Sequence, residues 1–222
     1  MKFWDWPFTF EILPMLAWAS LVTLEATILG FAIAAVLGLA FAIGRMFGPA
    51  WLSVPLAGFI EFIRSTPLLI QIFFLFFVFP EFGISLPAMT AGVMALGLHY
   101  ATYCSEVYRA GLANIARGQW EACTALNLTA FHSFRDVIIP QAIPPIVPAL
   151  GNYFVALFKD TPLLSAIAVL ELMQTAKIIG SDNFRYTEPI TIVGLIFLIF
   201  SLAAAGLIRL VEMRLNRRIR RA

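Results

Sequence analysis

The sequence predicts an all-α membrane protein, and its composition gives the first reason. Of the 222 residues, 61% are hydrophobic and only 13% are charged, and the mean hydropathy is +0.89. A soluble domain carries about 25% charged residues, so a single integral membrane domain is expected. The two cysteines, Cys104 and Cys123, have neither metal-site nor disulfide spacing, and residues 1–10 lack the basic start of a signal peptide.

Five apolar stretches are the second reason, because about 20 apolar residues at about 1.5 Å each match the hydrocarbon core of a bilayer. They cover residues 17–43, 52–79, 86–108, 145–170 and 189–211. The fourth is interrupted by Lys159, Asp160 and Pro162, so there we predict a broken helix and a short second helix. The predicted organisation is an external segment 1–16, a transmembrane domain 17–213 and a basic tail 214–222.

The distribution of Lys and Arg predicts the orientation, because cytoplasmic loops carry an excess of both. With the C-terminus inside, the inner face holds Arg45, Arg109, Arg117, Arg135, Arg209, Arg214, Arg217, Arg218, Arg220 and Arg221. The outer face then holds only Lys2, Lys177 and Arg185. We therefore expect an external N-terminus. The basic tail follows a span directly, which favours contact with lipid headgroups over binding of nucleic acid.

Charged and aromatic residues within the spans are candidates for a solute pathway, since a charge at mid-membrane costs about 2.5–3.5 kcal/mol on insertion scales. Glu61 and Arg64 lie three residues apart and predict a structural ion pair. Lys159 and Asp160 are neighbours that point to different faces, which leaves Asp160 free to meet a cationic group. Other candidates near it are His99, Tyr100 and Tyr103, whose rings could hold a cation, and Gln71, which could supply an orienting amide. Hydrogen-bonded packing is the alternative for His99.

Residues 64–69 and 159–164 share a cation, a spacer and the string Thr-Pro-Leu-Leu. Proline removes a helix hydrogen bond and threonine can bond the freed backbone, so each copy predicts a kink facing a cavity. Thr66 and Thr161 join the predicted pathway for this reason. A chance match of two short apolar strings is the alternative.

Residues 112–140 form a polar island in the longest basic loop, and we predict a short amphipathic helix, a turn and a second helix that stops at Pro140. Gly118 is expected to break the preceding helix. Glu121 and Ala122 then lie on a face of small side chains that a cytoplasmic partner could approach closely. The second helix carries an apolar stripe that is expected to pack on the spans.

Four segments together resemble the polar amino acid subfamily of bacterial ABC importer permeases: residues 64–71, 101–111, 118–127 and 139–142. The coupling loop of that family reads Glu-Ala-Ala, three residues, Gly, nine residues, Ile, one residue, Leu-Pro. This chain departs from it with Cys123 for the second alanine and Asn127 for the glycine. Asparagine tolerates left-handed backbone angles better than most residues, so the turn is expected to survive.

The resemblance implies a MetI-like permease fold in the bacterial inner membrane and names the expected partners. These are a second permease subunit, identical or homologous, an external solute-binding protein and two cytoplasmic ATPase subunits that hold ATP and Mg. The implied ATPase-coupling residues are Gly118, Glu121, Ala122, Cys123, Asn127 and Pro140. The chain carries no Gly-x-x-x-x-Gly-Lys-Ser/Thr loop, so we expect a conduit without enzymatic activity or a cofactor of its own. The solute would be a zwitterionic or cationic amino acid, or a compatible solute such as ectoine.

Two other function classes would require different sequence features. A self-sufficient secondary transporter or channel would not need the Glu121 loop and usually shows more spans or inverted halves. An intramembrane enzyme would need a Ser/His, paired-Asp or His-Glu-x-x-His arrangement at matched depth, and the sequence shows none of these. The sequence therefore favours the importer permease.

Overall fold

The computed structural model describes residues 4–219, with side chains for residues 4–215, and every regular element in that range is helical. The α-helices are α1 Trp6–Phe47, α2 Ala50–Ser65, α3 Leu68–Phe73, α4 Ala88–Ala113, α5 Arg117–Ala125, α6 Ala130–His132, α7 Ile139–Asp160, α8 Leu172–Asp182 and α9 Thr187–Ile219. Two π-helices, Phe74–Val78 and Ser133–Ile138, and two 3-10 helices, Phe79–Phe82 and Thr161–Ile167, join them. Lys2 and residues 220–222 of the predicted tail lie outside the described residues.

Helix α1 has 42 residues and is about 63 Å long at 1.5 Å per residue, longer than a bilayer core is thick. The predicted external segment 1–16 is thus mostly the first part of this helix. Its buried face includes Ala26, Gly30, Ala34 and Gly38, which recur every four residues. A Cβ on Gly38 would lie 2.6 Å from the Cβ of Cys104, so small residues let α1 and α4 pack closely.

The long helices alternate in direction. Gly30 and Gly38 of α1 face Leu96 and Cys104 of α4, so these two helices run parallel. Helix α7 runs against them, and α9 runs against α7, with Phe158 and Phe197 ring centroids 4.8 Å apart. The first residues of α1, α4 and α9 therefore share one end of the molecule, which we call the Asp5 end. Helix α5 lies at the opposite end, called the α5 end.

Both Thr-Pro sites interrupt a helix, as the sequence predicts. Helices α2 and α3 meet at Thr66 and Pro67, and the segments Ala50–Ser65 and Leu68–Phe82 are bent by 103°. At the second site α7 ends, a 3-10 helix follows, and α8 forms the predicted short second helix. Glu171 is buried at the start of α8, where its carboxylate accepts from the backbone N–H groups of Met173 and Gln174 at 2.9 and 2.8 Å. This satisfies backbone donors that a helix start leaves free.

By length and composition, three helical stretches in the described residues could cross a membrane: Trp6–Phe47, Ala130–Ile167 and Thr187–Leu215. The bent pair Ala50–Ser65 and Leu68–Phe82 makes a fourth if it is one span. The predicted span 86–108 corresponds to α4, which has 26 residues but is less apolar than these because it carries His99, Glu106 and Arg109. It lies at the centre of the molecule, where Ala95, Leu96 and Ala101 are buried.

Two predicted helix boundaries in the polar island are wrong. Gly118 does not break a helix: α4 already ends at Ala113, and Gly118 lies in the first turn of α5. Pro140 does not stop a helix either, because it lies inside a helical run that passes from the π-helix Ser133–Ile138 into α7. The chain runs continuously from the π-helix into α7 at this point.

Candidate functional site

Three separated parts of the chain bring seven polar and aromatic side chains together at the middle of α4. The kink between α2 and α3 contributes two of them, α4 three, and the second half of α7 two. We call this set the polar cluster; it consists of Thr66, Gln71, His99, Tyr100, Tyr103, Tyr153 and Asp160. All but Tyr153 were predicted as pathway residues.

Asp160 ends α7, and its carboxylate accepts a hydrogen bond of 2.6 Å from the hydroxyl of Tyr100. A hydrogen bond to an ionised oxygen is about twice as strong as a neutral one. Tyr100 is buried, whereas Asp160 keeps part of its surface exposed. Among the described residues, neither Lys159 nor Arg64 forms an ion pair with Asp160. The carboxylate is therefore held in place without being neutralised.

Gln71 joins the kink to α4. Its amide nitrogen donates to the Ile63 carbonyl at 2.7 Å and to the Thr66 hydroxyl at 2.8 Å, and its amide oxygen lies 3.2 Å from Nδ1 of His99. With this assignment Nδ1 carries the proton, so Nε2 of a neutral His99 ring is an acceptor. The kink thus fixes the tautomer of a histidine in the next helix.

The rings of the cluster form a continuous aromatic surface. Tyr103 lies between His99 and Tyr153, with ring centroids 5.4 Å apart on each side. Tyr100 and Tyr153 are 6.4 Å apart. A cation over such rings gains about 0.5–2 kcal/mol each. Tyr153 was not predicted as a pathway residue. It precedes Asp160 by two helical turns, a spacing that places both residues on one face of α7.

Thr161 does not belong to this surface, which corrects the prediction that it lines the pathway. Its side chain is fully buried and donates to the Phe158 carbonyl at 2.7 Å. Thr66 makes the corresponding bond, to the Ile63 carbonyl at 3.0 Å. Both threonines thus bond the carbonyl three residues earlier at a helix break, so the two Thr-Pro strings share a local geometry.

The polar cluster lies at mid-height of the helices. Leu96 of α4 and Leu157 of α7 both pack at Gly30, which is the midpoint of the predicted span 17–43. His99 and Tyr100 follow Leu96 within about one turn, and Asp160 follows Leu157. A charge at this height needs partners or water. The cluster therefore places polar side chains at mid-height of the described helices.

Helix α5, at the α5 end of the molecule, carries most of the residues predicted to couple to an ATPase. Glu121 is exposed and forms an ion pair with Arg117, Nε to Oε1, at 2.9 Å. Ala122 is also exposed, but the side chain of Cys123 is buried and packs beneath the helix, so it does not share that face. The ring of Trp120 packs on Phe134 with centroids 5.5 Å apart, which fixes α5 to the following helix.

Asn127 adopts the left-handed backbone that the sequence argument predicts, with φ 51°. The N–H of Leu128 donates to the Cys123 carbonyl and that of Asn127 to the Thr124 carbonyl, both at 3.0 Å. These two bonds form the turn that glycine usually closes after a helix. The turn expected from the family pattern thus forms with asparagine in the place of glycine.

Two sets of ion pairs lie on these helices, one beside the kink between α2 and α3 and one near the α5 end. Glu61 pairs with Arg64 on the exposed face of α2, as predicted. A second set was not predicted. In it Glu106 of α4 contacts Arg45 of α1, and its Oε2 accepts a hydrogen bond from Nη2 of Arg109 at 2.7 Å. This set joins the two parallel helices near the α5 end.

Two clefts elsewhere are lined almost entirely by apolar side chains. One of about 680 Å³ lies between α1 and α8 beside Trp18 and Ile179. The other, of about 420 Å³, lies near the α5 end beside Phe47 and Ile146. Neither contains a residue of the polar cluster, and neither offers the convergent polar groups that would orient a polar solute.

Comparisons with known proteins agree on one family. Residues 34–217 match the sequence profile described as "Binding-protein-dependent transport system inner membrane component". A probable amino-acid ABC transporter permease, y4tG of Sinorhizobium fredii, is 47% identical over 211 residues, 95% of this chain and 91% of that protein. The glutamine transport permease GlnP of Escherichia coli K12 is 33% identical over 215 residues, 96% of this chain and 98% of GlnP. The crystal structure of an amino acid ABC transporter with histidines superposes with TM-score 0.90 at 36% identity, covering 95% of this chain and 99% of that one.

Proposed function

The chain belongs to the family of inner membrane components of binding-protein-dependent transport systems, and from this membership we propose that it forms the pathway for a polar amino acid in an ATP-driven importer. Its place is the inner membrane, and its role is that of a translocation subunit. The family membership favours the importer over a self-sufficient secondary transporter or channel.

The environment of Asp160 supports a solute with a cationic group. Its carboxylate stands at a helix break at mid-height, is oriented by Tyr100 and has no ion-pair partner among the described residues. An ammonium or guanidinium group would neutralise it and could rest on the ring faces of Tyr103 and Tyr153. The relatives named for glutamine and for amino acids support an amino acid as solute. A compatible solute such as ectoine stays a prediction.

We propose five membrane crossings with the N-terminus outside and the C-terminus inside. Helix α2 runs back against α1, with Phe41 and Phe59 ring centroids 6.2 Å apart and Gly44 facing Leu56, and together with the alternating directions of α4, α7 and α9 this supports the number. Helix α4 serves as the third crossing because it is long enough and sits between other helices, so its polar residues need not face lipid. Arg45, Arg109, Arg117 and Arg135 gather toward the α5 end, which supports a cytoplasmic position for that end.

Helix α5 is the proposed docking surface for an ATPase subunit. Its exposed face combines Glu121 with the small side chain of Ala122, and Trp120 fixes the helix to the rest of the chain. A movement of the ATPase would reach the spans through Phe134, whose ring also packs on Phe47 of α1 at 5.7 Å. ATP and Mg would bind to two such ATPase subunits, and a second permease subunit, identical or homologous, would complete the pore.

Reconstitution in vesicles tests this function. The chain is purified with the ATPase and any second permease encoded beside it, and uptake of labelled amino acids is measured with the neighbouring binding protein outside. We expect uptake only when ATP is enclosed, and none from an ion gradient alone. Uptake driven by a proton or sodium gradient without ATP would instead establish the secondary transporter.

A further inference from the structure

The turn between α8 and α9 exposes the aromatic side chain of Phe184 from a left-handed backbone position. Phe184 is 93% exposed, the highest value among the large hydrophobic residues of the described chain, and its φ is 53°. The left-handed region costs a residue other than glycine about 1–2 kcal/mol. Because its side chain is so exposed, Phe184 gains no packing against the described residues that would offset this cost.

Backbone hydrogen bonds hold the turn around Phe184. The N–H of Arg185 donates to the Gly180 carbonyl at 2.9 Å and that of Phe184 to the Ser181 carbonyl at 3.4 Å. This is the helix-ending turn in which glycine normally occupies the position of Phe184. The ring of Tyr186 packs against Gly180 so closely that a Cβ there would lie 2.5 Å from it.

Arg185 anchors the same turn to the start of α1. Its guanidinium contacts Glu188, lies 3.8 Å from Oδ2 of Asp5 and stands over the ring of Phe8 at 5.8 Å. The carboxylate of Glu188 also accepts from the backbone N–H of Asp5 at 3.0 Å. The hydrogen bond to Glu188 raises the pKa of Arg185 above its already high ordinary value. The ring of Phe184 is thus held outward by a fixed frame.

We propose that Phe184 is an anchor residue for the solute-binding protein, which docks on the Asp5 end of this chain. This inference rests on the proposed function and orientation, which place that end outside. Aromatic side chains dominate the affinity of protein interfaces, and a preorganised anchor loses little entropy on binding. The exposed polar neighbours of Phe184, Ser181, Asp182 and Asn183, favour a protein surface over lipid chains as the medium that covers the ring.

The test uses the reconstituted transporter and titrates the binding protein encoded beside this chain while ATP hydrolysis is measured. Phe184→Gly removes the ring but suits the backbone, so folding is retained. We expect it to raise the half-saturating concentration of binding protein about tenfold or more, as loss of an interface anchor does. Phe184→Tyr should keep the wild-type value. Phe10→Ala is the matched control, because Phe10 is a 65% exposed phenylalanine on α1 toward the same end, and it should change nothing.

A second readout locates the ring directly. Phe184→Cys is labelled with a polarity-sensitive thiol fluorophore, while the native Cys104 and Cys123 are buried. We expect a water-like signal that becomes apolar when binding protein is added. An apolar signal before addition, together with an unchanged half-saturation in Phe184→Gly, would show that the ring inserts into lipid and would overturn the inference alone. Absence of any stimulation by binding protein in the wild type would overturn the proposed function as well.

Discussion

Replacing Asp160 with asparagine removes the charge of the polar cluster and keeps the size of the side chain. The hydrogen bond from Tyr100 can persist, since the amide oxygen still accepts. What is lost is the attraction to a cationic group of the solute, about 1.5–3 kcal/mol for a hydrogen bond to a charged group. That corresponds to an apparent affinity about 10 to 150 times weaker.

Uptake into vesicles measures this loss. Cationic and zwitterionic amino acids are compared in the wild type and in Asp160→Asn, together with basal ATP hydrolysis and the yield of monodisperse protein. We expect weaker transport of the native solute, with normal yield and basal hydrolysis. A larger loss for solutes with a cationic side chain would place that group at Asp160.

Tyr100→Phe is the matched control, because it removes the donor to Asp160 and leaves the carboxylate. If Asp160 served only the fold through this hydrogen bond, Tyr100→Phe would lose folded protein, whereas Asp160→Asn would keep both normal yield and normal uptake. Neutralising Lys159 together with Asp160 should rescue nothing, since the two form no ion pair in the described chain. Normal uptake with normal yield in Asp160→Asn would refute any role for the charge.

Three further predictions concern the α5 end and the topology. Glu121→Lys should abolish solute-stimulated ATP hydrolysis but leave insertion intact, since its exposed pair with Arg117 contributes only about 0.3–0.5 kcal/mol; unchanged stimulation would exclude docking there. Asn127→Gly should keep the thermal stability, whereas Asn127→Val should lower it by about 1 kcal/mol or more, and equal stabilities would contradict the left-handed turn. Cysteines at residues 182–183 should be labelled from outside and those at 217–221 only from inside; reversed labelling would contradict the orientation.

The features predicted well from the sequence depend on local chemistry. Proline lacks a backbone donor, and at Pro67 and Pro162 the preceding threonine bonds the carbonyl three residues before itself, so each Thr-Pro string marks a helix break. The ion pair of Glu61 and Arg64 follows from their spacing on one helix, and the left-handed turn at Asn127 follows from the tolerance of that side chain. Each of these features depends on residues that lie within a few positions of one another in the sequence.

The features that were missed depend on packing between distant segments. The contact of Arg45 with Glu106 joins residues 61 positions apart, and no local sequence pattern predicts it. Thr161 is fully buried, whereas Thr66, which makes the corresponding hydrogen bond, is half-buried, and a Thr-Pro string does not reveal this difference. The boundaries at Gly118 and Pro140 were wrong because both residues disfavour a helix without forbidding it: Gly118 lies in the first turn of α5, and Pro140 lies where a π-helix passes into α7.

Accessibility of Tyr103 to a water-soluble thiol reagent tests the central claim, that the polar cluster lines the solute pathway. The reconstituted importer carries Tyr103→Cys with Cys104 and Cys123 replaced by alanine, and the rate of modification is followed with and without a saturating transported amino acid. We predict that the thiol reacts and that the amino acid slows the reaction. A thiol that never reacts, or one whose rate ignores the amino acid, would contradict a pathway at this cluster.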